Sequence, residues 1–194
     1  MKDRGGSFPP RVAVLEGGVS LGLLDNLTGS DPRQATRVTV GRTSGELNLF
    51  FECEDAQPWA TITRRDGPLF QEEVVEVFLD PFGDLECYYE IELNPINTVF
   101  DLMLRRVGKG WRKEFGWQCE GLETRTAFTP GGWSGSLSIP FAAMTPNPPN
   151  SGSVWRANFL RIDRPPGVPR ELSAWSPTGR NTFHEPGRFG FLVF

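Results

Sequence analysis

The chain has 194 residues, of which 38% are hydrophobic and 23% are charged. This length allows one domain with a sizeable core, and this composition excludes a disordered protein. The formal net charge is −4, and no basic cluster is larger than the pairs Arg64–Arg65 and Arg105–Arg106. The charge pattern therefore argues against nucleic acid and against an anionic membrane surface as partners.

Short strands are predicted along the whole chain, because 22 glycines and 17 prolines interrupt it at close intervals. The runs RVTVGR, YYEIEL, ETRTAF and SGSLSI alternate polar and apolar residues, as half-buried strands do. In chain order, we predict strands at 11–16, 36–42, 46–53, 74–80, 87–94, 97–105, 121–128, 132–139, 155–163, 172–176 and 189–194. The one helical segment predicted is PFAAM at 140–144, which begins with proline at a permitted position.

The spacing of strands and turns predicts an all-β fold with very little helix, a two-sheet antiparallel β-sandwich of the jelly-roll or immunoglobulin type. We expect one domain over residues 1–194, with residues 1–10 as a loose N-terminal segment. The opening residues MKDRGGSFPPR contain no apolar h-region, and no apolar run approaches the ~18 residues of a membrane span. Two locations stay open: the protein is intracellular, or it is exported and its leader has been removed.

The three cysteines do not form a zinc motif. Cys53, Cys87 and Cys119 are widely spaced and lack a CxxC pair, and His184 is the only histidine. An odd number of thiols leaves at least one free. Because Cys53 alternates in register within LNLFFEC, we predict a buried thiol there.

The segment LFQEEVVEVFLDP at 69–81 contains one acidic residue at a position where the strand pattern predicts burial. Glu76 shares a face of the predicted strand with Val74 and Phe78. A carboxylate among apolar neighbours at mid-strand is strongly penalised by desolvation unless a partner compensates it. Glu76 is therefore a candidate functional residue.

A second carboxylate is expected beside Glu76. Glu90 and Glu92 share one face of YYEIEL, so Glu92 lies on the same side as Glu76 if the two strands pair. Two carboxylates on one sheet face can hold sugar hydroxyls or a cation. They can also be the acid/base pair of a glycoside hydrolase, although the composition favours binding over catalysis.

The acidic loop DPFGDLE offers oxygen ligands at a spacing that suits calcium. The candidate ligands are Asp80, Asp84 and Glu86. They do not match the twelve-residue calcium loop, so a solvated turn is the alternative, and nothing in the sequence requires a cofactor.

His184 is the basis of another alternative function. Together with Met103 or Met144 it could supply axial ligands to the haem of an electron-transfer β-sandwich. An ordinary hydrogen-bonding histidine is the simpler interpretation. No G-x-S-x-G motif accompanies it, so a serine hydrolase is not indicated.

Aromatic residues are abundant, with 15 Phe, 6 Trp and 2 Tyr, and most are expected in the core between the two sheets. Trp155 in VWRAN and Trp175 in AWSP are assigned to that core. Phe70 and Phe183 lie in polar loops instead, where an aromatic side chain is either a local plug or a platform for a ligand.

Four segments in order resemble the family 9 carbohydrate-binding modules found with xylanases and their free-standing, DOMON-like relatives. They are RDGPLFQEEVVEVFLDP, YYEIELNP, WRANFLRID and AWSPTGRNTFHEPGRFGFLVF, and the resemblance runs from residue 36 to the C-terminus. It implies an antiparallel β-sandwich that binds a mono-, oligo- or polysaccharide without catalysis, in support of polysaccharide catabolism. Members of the family can also bind structural calcium.

The resemblance also implies site residues. In the family a terminal sugar ring lies between two aromatic side chains, positions that fall on Phe70 and Phe183 here. Glu76 and Asn181 fall on positions that bind sugar hydroxyls. The family usually has tryptophan at both aromatic positions, so two phenylalanines make narrower platforms.

One polar position departs from the family. Glu92 stands where an arginine can contact the sugar. We expect Arg161, on the matching strand, to supply the missing cation and to pair with Glu76.

Overall fold

The structure is a computed structural model that describes residues 9–194, and these residues form mainly β-strands. The strands are β1 (Arg11–Ala13), β2 (Val19–Gly22), β3 (Leu24–Asp25), β4 (Thr36–Arg42), β5 (Glu46–Glu54), β6 (Val74–Asp80), β7 (Cys87–Leu93), β8 (Val99–Val107), β9 (Gly110–Glu114), β10 (Glu123–Thr129), β11 (Gly132–Pro140), β12 (Val154–Asp163), β13 (Glu171–Ala174) and β14 (Gly190–Val193). Three short 3-10 turns are η1 (Leu69–Gln71), η2 (Phe141–Ala143) and η3 (Pro186–Arg188). Within residues 9–194, no helix is long and apolar enough to cross a membrane.

The strands form two sheets that pack face to face. The large sheet has nine strands in the order β1-β14-β12-β6-β7-β8-β9, with β13 beside β12 and β3 beside β13. The small sheet has the order β10-β11-β5-β4-β2. Neighbouring strands are antiparallel apart from the parallel pair β1–β14, so the predicted two-sheet antiparallel β-sandwich is confirmed.

Every predicted strand overlaps an observed one, and the predicted helical segment is the short turn η2. Three strands were missed: β2, β3 and β9. β9 reads GWRKE and has no apolar alternation, so its pairing with β8 depends on the tight turn between them. Gly108 has φ 58° in that turn, a conformation that glycine adopts freely.

The prediction of a loose segment over residues 1–10 lies mostly outside the described residues, which begin at Pro9. Pro10 is held at its end of this range, because its carbonyl accepts a hydrogen bond from the Phe191 amide at 2.8 Å. This contact continues the pairing of β1 with β14 by one residue.

Two hydrophobic cores lie on opposite faces of the large sheet. The first fills the space between the sheets and includes Phe51 and Val77, together with the predicted buried thiol of Cys53. The second covers the outer face and includes Phe78 and Tyr88. Since alternate residues of β6 enter each core, all seven residues of this strand are buried.

Both tryptophans assigned to the core lie between the sheets, as predicted. The Trp175 ring centroid is 5.5 Å from that of Phe159. A Cβ atom at position 190 would lie only 2.5 Å from the Trp175 ring, so Gly190 gives this ring the space it occupies.

A buried ion cluster also joins the two sheets. Arg161 of β12 donates to the Thr36 hydroxyl at 3.2 Å and to the Glu54 carbonyl at 2.7 Å, both in the small sheet. It also pairs with Asp55 at 2.7 Å and with Asp163 at 3.1 Å. Both terminal nitrogens of this guanidinium are therefore used inside the sandwich, although its Nε has no partner among the described residues.

Glu73 lies beside this cluster and has no partner of its own among the described residues. It is fully buried, and neither of its carboxyl oxygens has a hydrogen-bond partner among the described residues. Burial, and then the neighbouring Asp55 carboxylate, raise the pKa of Glu73 to about 9. The side chain therefore carries a proton at neutral pH.

We expect Trp175→Ala to lower the free energy of unfolding by about 3–5 kcal/mol, because it opens a cavity that the strands cannot close. Gly190→Ala should also destabilise the protein, since the new methyl group meets the Trp175 ring. Urea denaturation measures both, with Leu27→Ala as a control at a side chain that is 60% exposed. If Trp175→Ala lowered the free energy of unfolding no more than Leu27→Ala does, the assignment of Trp175 to the core would be contradicted.

We expect Glu73→Gln to flatten the dependence of stability on pH. The pKa of Glu73 rises from 4.5 to about 9 on folding, so the folded protein binds the extra proton between these values. Stability contributed by this group therefore falls as pH rises through this window, by up to about 1.4 kcal/mol per pH unit.

The measurement is urea denaturation of the wild type and Glu73→Gln at several pH values in that window. Glu54→Gln, at an exposed neighbouring carboxylate, is the matched control. An unchanged slope in Glu73→Gln would show that Glu73 does not hold this proton.

Candidate functional site

A cavity of about 500 Å³ opens on the outer face of the large sheet. It is lined by five of the six residues predicted to bind carbohydrate: Phe70, Glu76, Glu92, Asn181 and Phe183. These residues come from two strands and two loops that are far apart in sequence. The fold thus brings nearly the whole predicted set to one place.

The floor of the cavity carries three carboxyl groups. Glu76 of β6 is directly opposite Glu92 of β7, and Glu90 is opposite Phe78. This register confirms that Glu76 and Glu92 face the same side. All three glutamates are at most 4% exposed.

Crowding and burial change the protonation of this floor. Burial, and then the neighbouring carboxylates, raise the pKa of Glu76 and of Glu92 well above the usual range. Burial raises the pKa of Glu90 to about 7, while Lys113 and a hydrogen bond with Glu92 act in the opposite direction. Burial therefore favours the protonated form of all three carboxyl groups.

The loop that carries Phe70 is held on both sides. The buried carboxylate of Glu72 accepts hydrogen bonds from the Thr61 and Ile62 amides at 2.7 and 3.1 Å. The Arg164 guanidinium donates to the Phe70 carbonyl at 3.0 Å. Leu69 fills the second core, and the 44% exposed ring of Phe70 is left at the cavity wall.

The opposite wall is a loop organised by Asn26. This fully buried side chain donates to the Thr178 hydroxyl at 2.9 Å and to the Arg180 carbonyl at 2.7 Å. The loop then carries Asn181, whose side-chain oxygen accepts from Arg170 at 3.4 Å. Nothing in the local sequence around Asn26 indicated this role, because its partners are over 150 residues away.

Phe183 serves mainly as a plug. Only 5% of it is exposed, and it belongs to the second core as well as to the cavity wall. The two interpretations left open for aromatic residues in polar loops thus apply differently: Phe70 presents its ring to the cavity, whereas Phe183 presents little of its surface.

The sequence pattern missed several residues of the cavity, notably Glu90, Lys113 and Phe115. Phe115 is 61% exposed in the polar segment KEFGW, so the criterion that selected Phe70 would also have selected it. Glu90 shares a strand face with Glu92 and could have been found in the same way. Lys113 lies on β9, which was not predicted.

The expectation that Arg161 pairs with Glu76 is wrong. The cross-strand partner of Glu76 is Leu160, so Arg161 lies one residue along β12 and points to the other face of the sheet. There it binds Asp55 and Asp163 between the sheets. Arg161 therefore does not join the cavity.

The residues proposed as haem ligands are not brought together. His184 lines the cavity, where its Nδ1 is 2.8 Å from the Tyr88 hydroxyl and its ring stacks on Phe78 at 5.2 Å. Met144 lies in the core between the sheets and Met103 packs against it, across the sheet from His184. Burial lowers the pKa of His184 to about 4, so the ring is neutral at neutral pH.

The acidic loop that suggested calcium uses its oxygens internally. Asp80 accepts hydrogen bonds from three backbone amides of the turn, and Asp84 accepts one from the Glu86 amide. A different group suits a hard cation better. Within residues 9–194, the carboxylates of Asp55, Glu73 and Asp163 are the one set of three or more ligands within 4.8 Å of one another.

No protein-family model and no curated protein matches the chain. Solved structures do share its fold. A candidate carbohydrate-binding protein from Bacteroides uniformis ATCC 8492 is 19% identical, with a TM-score of 0.76 over 96% of this chain and 99% of that one. A family 9 carbohydrate-binding module from Caldicellulosiruptor kristjanssonii is 15% identical, and 94% of this chain is covered. Its complex with cellotriose has a TM-score of 0.68 over 92% of that chain, and its complex with glucose has 0.69 over 94%. The chain therefore has the β-sandwich fold of the family 9 modules, as the resemblance implied.

Proposed function

We propose that this protein binds carbohydrate without catalysis, and that the sugar occupies the cavity on the outer face of the large sheet. The observation that carries the proposal is the convergence of Phe70, Glu76, Glu92, Asn181 and Phe183 on that one cavity. Mono-, oligo- and polysaccharides are the ligand class, in support of polysaccharide catabolism. The glucose and cellotriose bound by a module of the same fold support this class.

The cavity matches the amphipathic surface of a pyranose ring. The exposed rings of Phe70 and Phe115 offer apolar surfaces on which the C–H face of a sugar can stack. Glu76 and Asn181 offer oxygen acceptors and donors to the hydroxyl groups at the ring edge. Phe183 would contribute the smaller, second aromatic contact.

The state of the carboxyl groups favours binding over glycoside hydrolysis. A hydrolase needs one ionised carboxylate and one protonated carboxyl on either side of the scissile bond. Glu76 and Glu92 are direct neighbours on one sheet face, and burial raises the pKa of both well above the usual range. Burial thus favours the neutral form of both, whereas a nucleophile or a base must be ionised.

We further propose that a structural calcium ion is held by Asp55, Glu73 and Asp163 between the sheets. The unpartnered oxygens of Glu73 and Asp163 support this site, since hard carboxylate oxygens are the ligands that calcium prefers. Calcium would take the place of the proton that Glu73 holds in the free protein. Calcium should raise the melting temperature of the wild type but not of Glu73→Gln, and Asp84→Asn is the control in the acidic loop. An equal rise in Glu73→Gln would place the ion elsewhere.

The binding proposal predicts opposite effects of one substitution on affinity and stability. Glu76→Met keeps the side-chain volume and removes the polar atoms, so it should weaken sugar binding by about 1–3 kcal/mol. The same change should leave stability equal or higher, because it removes a buried carboxyl group. Phe70→Ala should weaken binding by about 0.5–1.5 kcal/mol through the lost stacking face.

Titration calorimetry against glucose and cellotriose measures the affinities, and Phe128→Ala is the control at an aromatic ring that is 58% exposed on the other sheet. Unchanged affinity in both Glu76→Met and Phe70→Ala would place the sugar elsewhere. Turnover of aryl glycosides that is lost in Glu76→Met would replace the binding function with hydrolysis.

A further inference from the structure

Some acidic side chains around the cavity have a basic partner and others do not. Asp66, at the rim, is within 3.9 Å of the Arg65 guanidinium. In the part of the chain that the structure describes, no lysine or arginine lies within 4.0 Å of the carboxyl oxygens of Glu76, Glu90 or Glu92. The carboxyl groups of the floor therefore have no ion-pair partner among these residues.

Two atoms of this floor have no hydrogen-bond partner among the described residues. They are the Oε2 atoms of Glu90 and Glu92, in side chains that are 4% and 1% exposed. A buried carboxyl oxygen without a partner is costly, so a ligand group that donates to it gains correspondingly. Both residues line the cavity.

Neutral hydroxyl groups would supply hydrogen bonds to these oxygens but would not stabilise the ionised form of either carboxyl group. An ammonium group supplies three donors and a positive charge at once, and charge-assisted hydrogen bonds are about twice as strong as neutral ones. His184 does not provide this charge, since burial lowers its pKa to about 4. Lys113 and Arg170 line the cavity as exposed side chains and stay outside ion-pair distance.

A bare metal ion fits this floor less well than an ammonium group does. The three glutamates do not form a set of ligands within 4.8 Å of one another, whereas Asp55, Glu73 and Asp163 do. The aromatic surfaces of Phe70 and Phe115 also suit the apolar C–H face of a ring better than a hydrated metal ion. The cation should therefore belong to a ligand with apolar faces and hydroxyl groups.

We propose that the preferred ligand of this site is a cationic amino sugar, a pyranose with a free ammonium group held by Glu90 and Glu92. This inference rests on the proposed carbohydrate-binding function. The ring would stack on Phe70, and its hydroxyl groups would meet Glu76 and Asn181. N-acetylation of the amine would remove the charge and with it the preference.

The test compares three sugars of the same ring at neutral pH by titration calorimetry: glucosamine, glucose and N-acetylglucosamine. The β-1,4-linked trimers of glucosamine and glucose repeat the comparison with a longer ligand. We expect glucosamine and its trimer to bind at least about tenfold more tightly than the neutral sugars, as expected for a charge-assisted contact.

Three variants separate this contact from a general charge effect. Glu90→Gln should reduce the ratio of glucosamine to glucose affinity towards one. Lys113→Gln removes the positive charge of an exposed side chain, which would otherwise repel the ammonium group of glucosamine. This variant should therefore raise the ratio. Glu123→Gln removes one negative charge at an exposed position on the small sheet and should leave the ratio unchanged.

Equal affinity for glucosamine and glucose would overturn the amino-sugar inference and leave carbohydrate binding intact. Binding of none of the sugars would overturn both. A preference for glucosamine that Glu123→Gln reduces as much as Glu90→Gln does would also overturn the inference, because it would reflect net charge alone. If Glu90→Gln does not fold, the ratio of glucosamine to glucose affinity in the wild type and in Lys113→Gln still tests the inference.

Discussion

The large sheet is covered on both faces, and this constraint determines what its central strands contain. One face packs against the small sheet, and the other carries a second core built from side chains of the sheet and of two loops. Antiparallel sheets of a sandwich commonly leave one face to solvent. Here β6 is buried throughout, so a carboxyl group at its centre must either be satisfied by protein or face an opening.

The opening exists because loops, rather than a third sheet, cover the outer face. Strands pack into continuous layers, whereas the loops here contribute separate side chains, such as Leu69 and Phe183, to the second core. Each loop is fixed by one buried polar residue, Glu72 on one side and Asn26 on the other. A rigid floor with fixed walls is suited to recognition by a preformed shape, in which little ordering accompanies binding.

Alternation along the chain was enough to find eleven of the fourteen strands in residues 9–194 and to place Glu76 and Glu92 on one face. The same rule failed for Arg161, because an error of one residue in register moves a side chain to the other face of a sheet. The strand β9 has too little apolar character to be recognised. Asn26 and Glu73 could not be understood from local sequence, because their roles depend on groups that only the folded chain brings near.

The order of strands in the large sheet has a consequence for the timing of folding. β12 lies between β6 and β14, and β1 pairs in parallel with β14, so the middle of the sheet needs strands from the end of the chain. During synthesis, β6 and β7 can form a hairpin long before Val154–Asp163 leaves the ribosome. Until then β6 has an open edge flanked by apolar side chains, a state that is prone to pair with other chains. Such non-local pairing is typical of slow folding, so the correct sheet depends on how soon β12 and β14 become available to pair.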